Sequence, residues 1–182
     1  PCSSAASDVY KRQILLSKKK FSIIDAGCGN GWAVRLISSN KNCLVASGVD
    51  GSKLMIEKAK KIDKKNKYFH GDLNTWIPKK KVDVVMSMEV FYYFEDPESL
   101  ITKIYDEWLN PGGQLVVGLD FYFENPDCHN WQEQTGVSIM KLLKVSDWIK
   151  LFKNAGFKQV NKYQFCQSKS WNGTLVIQGS KI

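Results

Sequence analysis

Arginine is nearly missing from this chain: apart from Arg12, in an anomalous N-terminal stretch, Arg35 is the only one. Readers of nucleic acid lean on arginine for bidentate base and phosphate contacts. The formal charge of +8 is therefore assigned to lysines on solvated faces, and no nucleic-acid partner is expected. The runs Lys18–Lys20 and Lys79–Lys81 each precede an apolar strand, where a charged loop belongs. The 5 cysteines include no C-x-x-C pair and no zinc-ligand spacing, so no metal is expected. Cys28, Cys43 and Cys166 sit in a glycine loop or in apolar runs where thiols pack as small hydrophobes, which fits a reducing, cytoplasmic setting. No apolar run approaches membrane-span length; Val82–Met88 has the length of a core strand, and no membrane partner is expected. What remains is ordinary: 182 residues, 43% hydrophobic and 24% charged, the profile of one globular domain and not of a coiled coil or a disordered tail.

The first residues stand apart. Ser3–Gln13 reads SSAASDVYKRQ, which resembles the translation of a transposon-based sequencing-library adapter. Residues 1–13 are set aside as an artefact of that kind, and the fold is expected within 14–182, entered downstream of the natural start. Without Asp8, Lys11 and Arg12 the formal charge is +7.

From Phe21 onward strands and helices alternate. Strands are expected at Phe21–Ala26, Cys43–Asp50, Tyr68–Asp72, Val82–Met88 and Gln114–Phe121. A helix runs from Gly31 to Ser39; Ser52 caps a second, reaching about Lys64, with Met55, Ala59 and Ile62 on one face. Pro97 opens a third, which carries Leu100, Ile104 and Trp108 and stops at the turn Asn110-Pro111-Gly112-Gly113. Ser146 is expected to cap a helix that Gly156 closes, and Gln159–Phe165 with Thr174–Ser180 should form an antiparallel hairpin. Such alternation gives a mostly parallel sheet covered by helices on both faces.

Ligands of these sheets lie beyond the carboxyl ends of the strands. There the chain gathers Asp25-Ala26-Gly27-Cys28-Gly29-Asn30-Gly31, then Gly48-Val49-Asp50, Gly71-Asp72 and Ser87-Met88-Glu89. Together with Asp50-Gly51-Ser52-Lys53-Leu54-Met55 and the Asn-Pro-Gly-Gly turn, these segments resemble the class I S-adenosylmethionine-dependent methyltransferases. The resemblance implies an α/β, three-layer Rossmann-like sandwich with a seven-stranded, mostly parallel sheet of order 3-2-1-4-5-7-6, the last strand antiparallel. It also implies an enzyme that transfers a methyl group from S-adenosylmethionine to an acceptor, here read as a small molecule.

Two other readings stay open: an NAD(P)-dependent oxidoreductase, and a protein that binds S-adenosylmethionine without turnover. Asp50 lies 19 positions beyond Gly31, near the spacing of about 20 found in dinucleotide folds. Against the first stands Trp32, placed where a third glycine would let the helix approach pyrophosphate; its indole is expected to hold the helix away.

The resemblance assigns cofactor roles to Asp25 (the amino group), Gly27 and Gly29 (close backbone approach), Asp50 (both ribose hydroxyls), Asp72 with Leu73 (adenine) and Met88 (beside the sulfonium). Met55 is either an adenine contact or a plain core methionine. Glu89, Tyr92 and His129 are the candidate catalytic residues, although Phe91–Phe94 serves equally well as aromatic packing. The strand before Glu89 does not end in the N/D-P-P-Y pattern of amino-methylating DNA and protein enzymes. Phe121–Lys144 falls where the family covers its substrate, with Tyr122, Glu124, His129 and Trp131 as candidate pocket lining.

Overall fold

The core alternates strictly along each central strand, and that alternation builds two apolar layers. Ile24, Val85, Leu115, Val117 and Ile177 point to one face, and Ile23, Met86, Val116 and Val176 to the other. The computed structural model describes residues 19–169 and 171–182. The stretch read as adapter-derived, residues 1–13, lies outside the described residues.

The strands are β1 (Phe21–Ala26), β2 (Cys43–Asp50), β3 (Lys67–His70), β4 (Val82–Met88), β5 (Leu109–Leu119), β6 (Lys158–Phe165) and β7 (Thr174–Ser180). They form one seven-stranded sheet of order β3-β2-β1-β4-β5-β7-β6. β1 to β5 pair in parallel, whereas β7 runs antiparallel to both β5 and β6. The helices are α1 (Trp32–Ser38), α2 (Lys53–Ile62), α3 (Pro97–Lys103), α4 (Trp131–Thr135) and α5 (Val145–Asn154). Ala33, Val34 and Ile37 of α1 pack with Ile56 and Ala59 of α2 on one face. Leu100 and Ile101 of α3 pack with Trp148 and Phe152 of α5 on the other. This is the three-layer sandwich and strand order expected above. Among the described residues no helix is long and apolar enough to cross a membrane.

Four local expectations need correction. The Asn110–Gly113 segment does not precede β5; it bulges within the strand. Val82 pairs with Leu109 and Val84 with Gln114, so the intervening residues loop out, held by the Asp83 carboxylate accepting from Asn110 Nδ2 at 3.0 Å. The third helix winds into a π-helical turn at Ile104–Trp108 before it reaches β5. Ser146 does not cap α5: the N-cap is Lys144, whose N–H donates to Asp147 Oδ2 at 3.3 Å. The buried face of α2 is Ile56 and Ala59, while Met55 and Ile62 face outward. Ser52 caps α2 as expected, accepting from the Met55 N–H at 3.4 Å.

Candidate cofactor and acceptor site

β1 ends in the buried Asp25 and hands the chain to a loop that must turn sharply. Gly27 takes φ +82, and a Cβ there would lie 2.3 Å from Val90 Cγ2. Gly27 and Cys28 both donate backbone N–H groups to the Val49 carbonyl, at 2.8 and 3.1 Å, which ties the loop to β2. Gly29 takes φ +51 with no atom within 4 Å of a Cβ position, so the space above it is open.

The loop and the end of β2 are joined through one carboxylate. Asp50 Oδ2 accepts the Gly29 N–H at 2.8 Å, and Oδ1 accepts the Ser52 N–H at 2.7 Å. Because Ser52 caps α2, Asp50 serves the loops and keeps a further lone pair on each oxygen. The nearby Asp25 carboxyl is pushed up to about 8, first by burial and then by the Asp50 charge. Burial likewise pushes the Cys28 thiol up, so this loop cysteine is an inert packing residue.

Met55 is 42% exposed at the start of α2, which removes it from the core. Leu73 is buried in the core, whereas Asp72 forms a turn, its Oδ1 accepting the Asn74 N–H at 2.9 Å. His70 is exposed and its Nε2 meets the Gly51 carbonyl at 3.1 Å. Trp32 is 40% exposed at the start of α1, while Ala33 and Val34 bury against the sheet. The strand order, with β7 antiparallel to both β5 and β6, separates this fold from a dinucleotide-binding one.

At the next strand ends the polar groups are acidic. Met88 packs its sulfur against the glycine face of Gly118 in β5. Glu89 follows with φ 59, a conformation that costs free energy for a residue with a Cβ. Its N–H donates to the Gly118 carbonyl at 3.0 Å, and Oε2 accepts from the Tyr92 hydroxyl at 2.9 Å. The residue is part-exposed, but Oε1 is closed off from solvent and takes no hydrogen bond. Burial, then the Asp120 charge, pushes the Glu89 carboxyl up to about 8. Asp120, directly after β5, is buried and accepts from Thr174 Oγ1 at 2.6 Å. Sequence reasoning missed Asp120; the available signal was an acid at the end of a fifth strand, on the edge that already holds Asp25, Asp50 and Glu89.

The aromatic run after β4 divides. Phe91 and Tyr92 are buried, Tyr92 lying 5.4 Å from the Phe121 ring, while Tyr93 is 40% exposed. In the Phe121–Lys144 segment most candidate pocket residues are engaged elsewhere. Tyr122 is buried and donates its hydroxyl to the Gly173 carbonyl at 2.9 Å. Glu124 accepts the Val145 N–H at 3.1 and 2.9 Å, at the start of α5. His129 Nε2 donates to Phe123 in its own loop at 2.7 Å. Trp131 stacks between Phe121 and Trp171, both at 6.2 Å. Among the described residues no group of three or more His, Cys, Asp or Glu could hold a metal.

A parallel sheet in this order, closed by an antiparallel β7 and carrying a glycine loop braced by the carboxylate at the end of β2, defines the class I S-adenosylmethionine-dependent methyltransferase architecture. The sequence model of one family, described as a methyltransferase domain, matches residues 3–162. The chain belongs to that family. It is similar to the trans-aconitate 2-methyltransferase of Agrobacterium fabrum, 28% identical over 135 residues that cover 74% of this chain and 49% of that protein. The protein of the same name from Rhizobium leguminosarum bv. trifolii is 24% identical over 159 residues, covering 87% of this chain and 57% of its own. The chain thus spans about half the length of these curated relatives. Among solved structures, a chain in the Haloferax volcanii complex of the Trm112 methyltransferase activator with a methyltransferase superposes with TM-score 0.83 at 26% identity, covering 97% of this chain and 88% of that one.

Proposed function

We propose that residues 14–182 form one domain that transfers the methyl group of S-adenosylmethionine to a small-molecule acceptor. The observation that carries this reading is Asp50: one carboxylate braces the glycine loop and keeps lone pairs for two neighbouring hydroxyls, the pattern one ribose presents. The donor set fits the cofactor, because a buried acid, Asp25, stands beside it for an amino group and open space lies above Gly29. When bound, S-adenosylmethionine supplies an electrophilic methyl on sulfur, which an aligned nucleophile displaces in line.

The chain's own residues then bind and orient. Asp25 meets the amino group, Gly27 and Gly29 let the backbone pass close, and Met55 with Asp72 borders the adenine, which Leu73, its side chain in the core, reaches only through its backbone. Met88 lies beside the reacting sulfur, and Glu89 and Tyr92 face the acceptor. His129, held by its own loop, is assigned no proton transfer. A small-molecule acceptor is supported by the chain that follows β4, which runs Glu89-Val90-Phe91-Tyr92 and lacks a macromolecule-type proline pair. The names of the relatives, which specify trans-aconitate, support a small acceptor too. The absence of any disulfide at the buried Cys28 and Cys128 goes with a cytoplasmic setting.

Calorimetric titration of S-adenosylmethionine and NAD into the parent, Asp50→Ala and Lys80→Ala tests the reading. Hydrogen bonds to a charged group contribute roughly 1.5–3 kcal/mol, so Asp50→Ala should weaken S-adenosylmethionine binding roughly 10- to 150-fold, with Lys80→Ala unchanged. Tight NAD binding by the parent, or undiminished affinity in a folded Asp50→Ala protein, defeats it.

A further inference from the structure

The strand ends that frame the acceptor position carry two carboxyl groups, and among the described residues no lysine or arginine is paired with either. β4 and β5 pair in parallel with Met88 opposite Gly118, so Glu89, one residue past that pair, and Asp120, two past it, leave the sheet at the same edge, close enough for the Asp120 charge to act on Glu89. Asp120 is held through Oδ1 by Thr174, and Glu89 through Oε2 by Tyr92. Glu89 Oε1 is buried and makes no hydrogen bond, although the Asp120 backbone N–H lies near enough to lower this carboxyl, so the oxygen can still take a donor from a ligand. Neither acid forms an ion pair with a lysine or arginine among the described residues; the pair recorded there is Lys103–Glu107.

We infer that the methyl acceptor is an amine, recognised as its ammonium by Glu89 and Asp120, with Glu89 taking the proton that frees the nitrogen for attack. The inference rests on the methyltransferase reading and deepens it. The acceptor ammonium passes one proton to the Glu89 carboxylate. The freed lone pair forms the new N–C bond while the C–S bond breaks, and that bonding pair stays on sulfur. The product is a methylammonium, and the Glu89 proton leaves to solvent. An anionic acceptor would instead meet two buried acids that each resist a further negative charge beside them.

The groups that face Glu89 are the Asp120 carboxyl, the Tyr92 phenol and the Cys128 thiol. Burial raises both the phenol and the thiol, so both stay neutral; burial also raises the Asp120 carboxyl, against the Thr174 hydrogen bond that lowers it, and the Asp120 charge in turn raises Glu89. With its carboxyl pushed up to about 8, Glu89 is protonated at pH 7 until a cation arrives. Binding an ammonium therefore ionises it and expels a proton.

The test uses the full chain saturated with S-adenosylhomocysteine. Benzylamine is the probe amine, chosen for the aromatic Tyr92 and Phe121 beside the acids, and trans-aconitate is the probe polycarboxylate. Calorimetry at pH 7 in buffers of different ionisation heat counts protons. Benzylamine should bind with release of about one proton, and trans-aconitate should not bind. Glu89→Gln should abolish the release and weaken benzylamine at least tenfold; Asp120→Asn should weaken it while the release remains. Both variants should keep the parent's affinity for S-adenosylhomocysteine, which certifies their fold. Binding of trans-aconitate in preference to benzylamine, no benzylamine binding, or an unaltered Glu89→Gln overturns the amine assignment and leaves the cofactor reading standing. Failure of the parent to bind S-adenosylhomocysteine takes down both.

Discussion

The Asp50 carboxylate accepts the backbone N–H of Gly29 at 2.8 Å, so the end of β2 fixes the height of the glycine loop above β1. The same side chain holds the Ser52 N–H at 2.7 Å, at the entrance to α2. One acid thereby sets the spacing between two loops that a bound nucleoside must bridge. The arrangement also separates the two neighbouring glycines: Gly27 is a packing requirement, and Gly29 keeps a surface clear.

Gly27→Ala and Gly29→Ala should therefore fail in different ways. Both positions have positive φ, which costs an L-residue about 1–2 kcal/mol. Only Gly27 adds a collision, its Cβ 2.3 Å from Val90 Cγ2, and such overpacking typically costs about 1–3 kcal/mol more. Urea unfolding should place Gly27→Ala about 2–5 kcal/mol below the parent and Gly29→Ala only about 1–2 kcal/mol below. Affinity should reverse the order of interest: Gly29→Ala, although folded, should bind S-adenosylmethionine at least tenfold more weakly. If it binds like the parent, the open space above Gly29 is not the cofactor path.

Features carried by adjacent residues were legible in the sequence. The glycine loop, Asp50 and the Ser52 cap lie within single short segments, where turn chemistry and strand periodicity act directly. The strand order followed from a family resemblance and not from periodicity, which is blind to which strands pair. Pairings across the sheet were hidden: Glu89 comes near Asp120 only because β4 and β5 are neighbours that end at the same edge. Glu124 looked like a pocket residue because its partner, the Val145 N–H, is distant in sequence. The buried face of α2 was misjudged by one position, since Met55 and Ile56 are equally apolar and only tertiary packing selects Ile56.

Binding of the cofactor should depend on pH through Asp25. Its carboxyl sits at about 8, held up by burial and then by Asp50, so below pH 8 the unliganded acid is neutral. A cationic amino group beside it favours the ionised form, so affinity should rise from pH 6 to pH 8, by at most about tenfold per unit. Stability runs the other way. The folded pKa lies above the ordinary 3.8, so the folded state holds the extra proton between pH 4 and 8 and loses stability as pH rises through that window. Asp25→Asn should flatten the affinity profile and reduce the stability slope, of which Glu89, also pushed up to about 8, keeps its own share; calorimetric titrations and thermal melts at pH 6, 7 and 8 read them. A parent affinity that is flat or falling across this range separates Asp25 from the amino group.

Glu124 should matter for stability and not for chemistry. Both its oxygens accept the Val145 N–H, at 3.1 and 2.9 Å, and the helix so anchored carries Trp148 and Phe152, each fully buried. A carboxylate at a helix N-terminus satisfies a donor that has no intrahelical partner and lies favourably against the helix dipole. Glu124→Ala should cost about 1–2 kcal/mol, seen as a lower urea midpoint with an unchanged slope. Glu124→Gln retains an acceptor oxygen and should recover part of the loss. Affinity for S-adenosylmethionine and the rate of methyl transfer at saturating acceptor should match the parent in both variants, measured below the unfolding transition. A Glu124→Ala protein of parental stability with a raised KM for the acceptor would instead return this residue to the acceptor pocket.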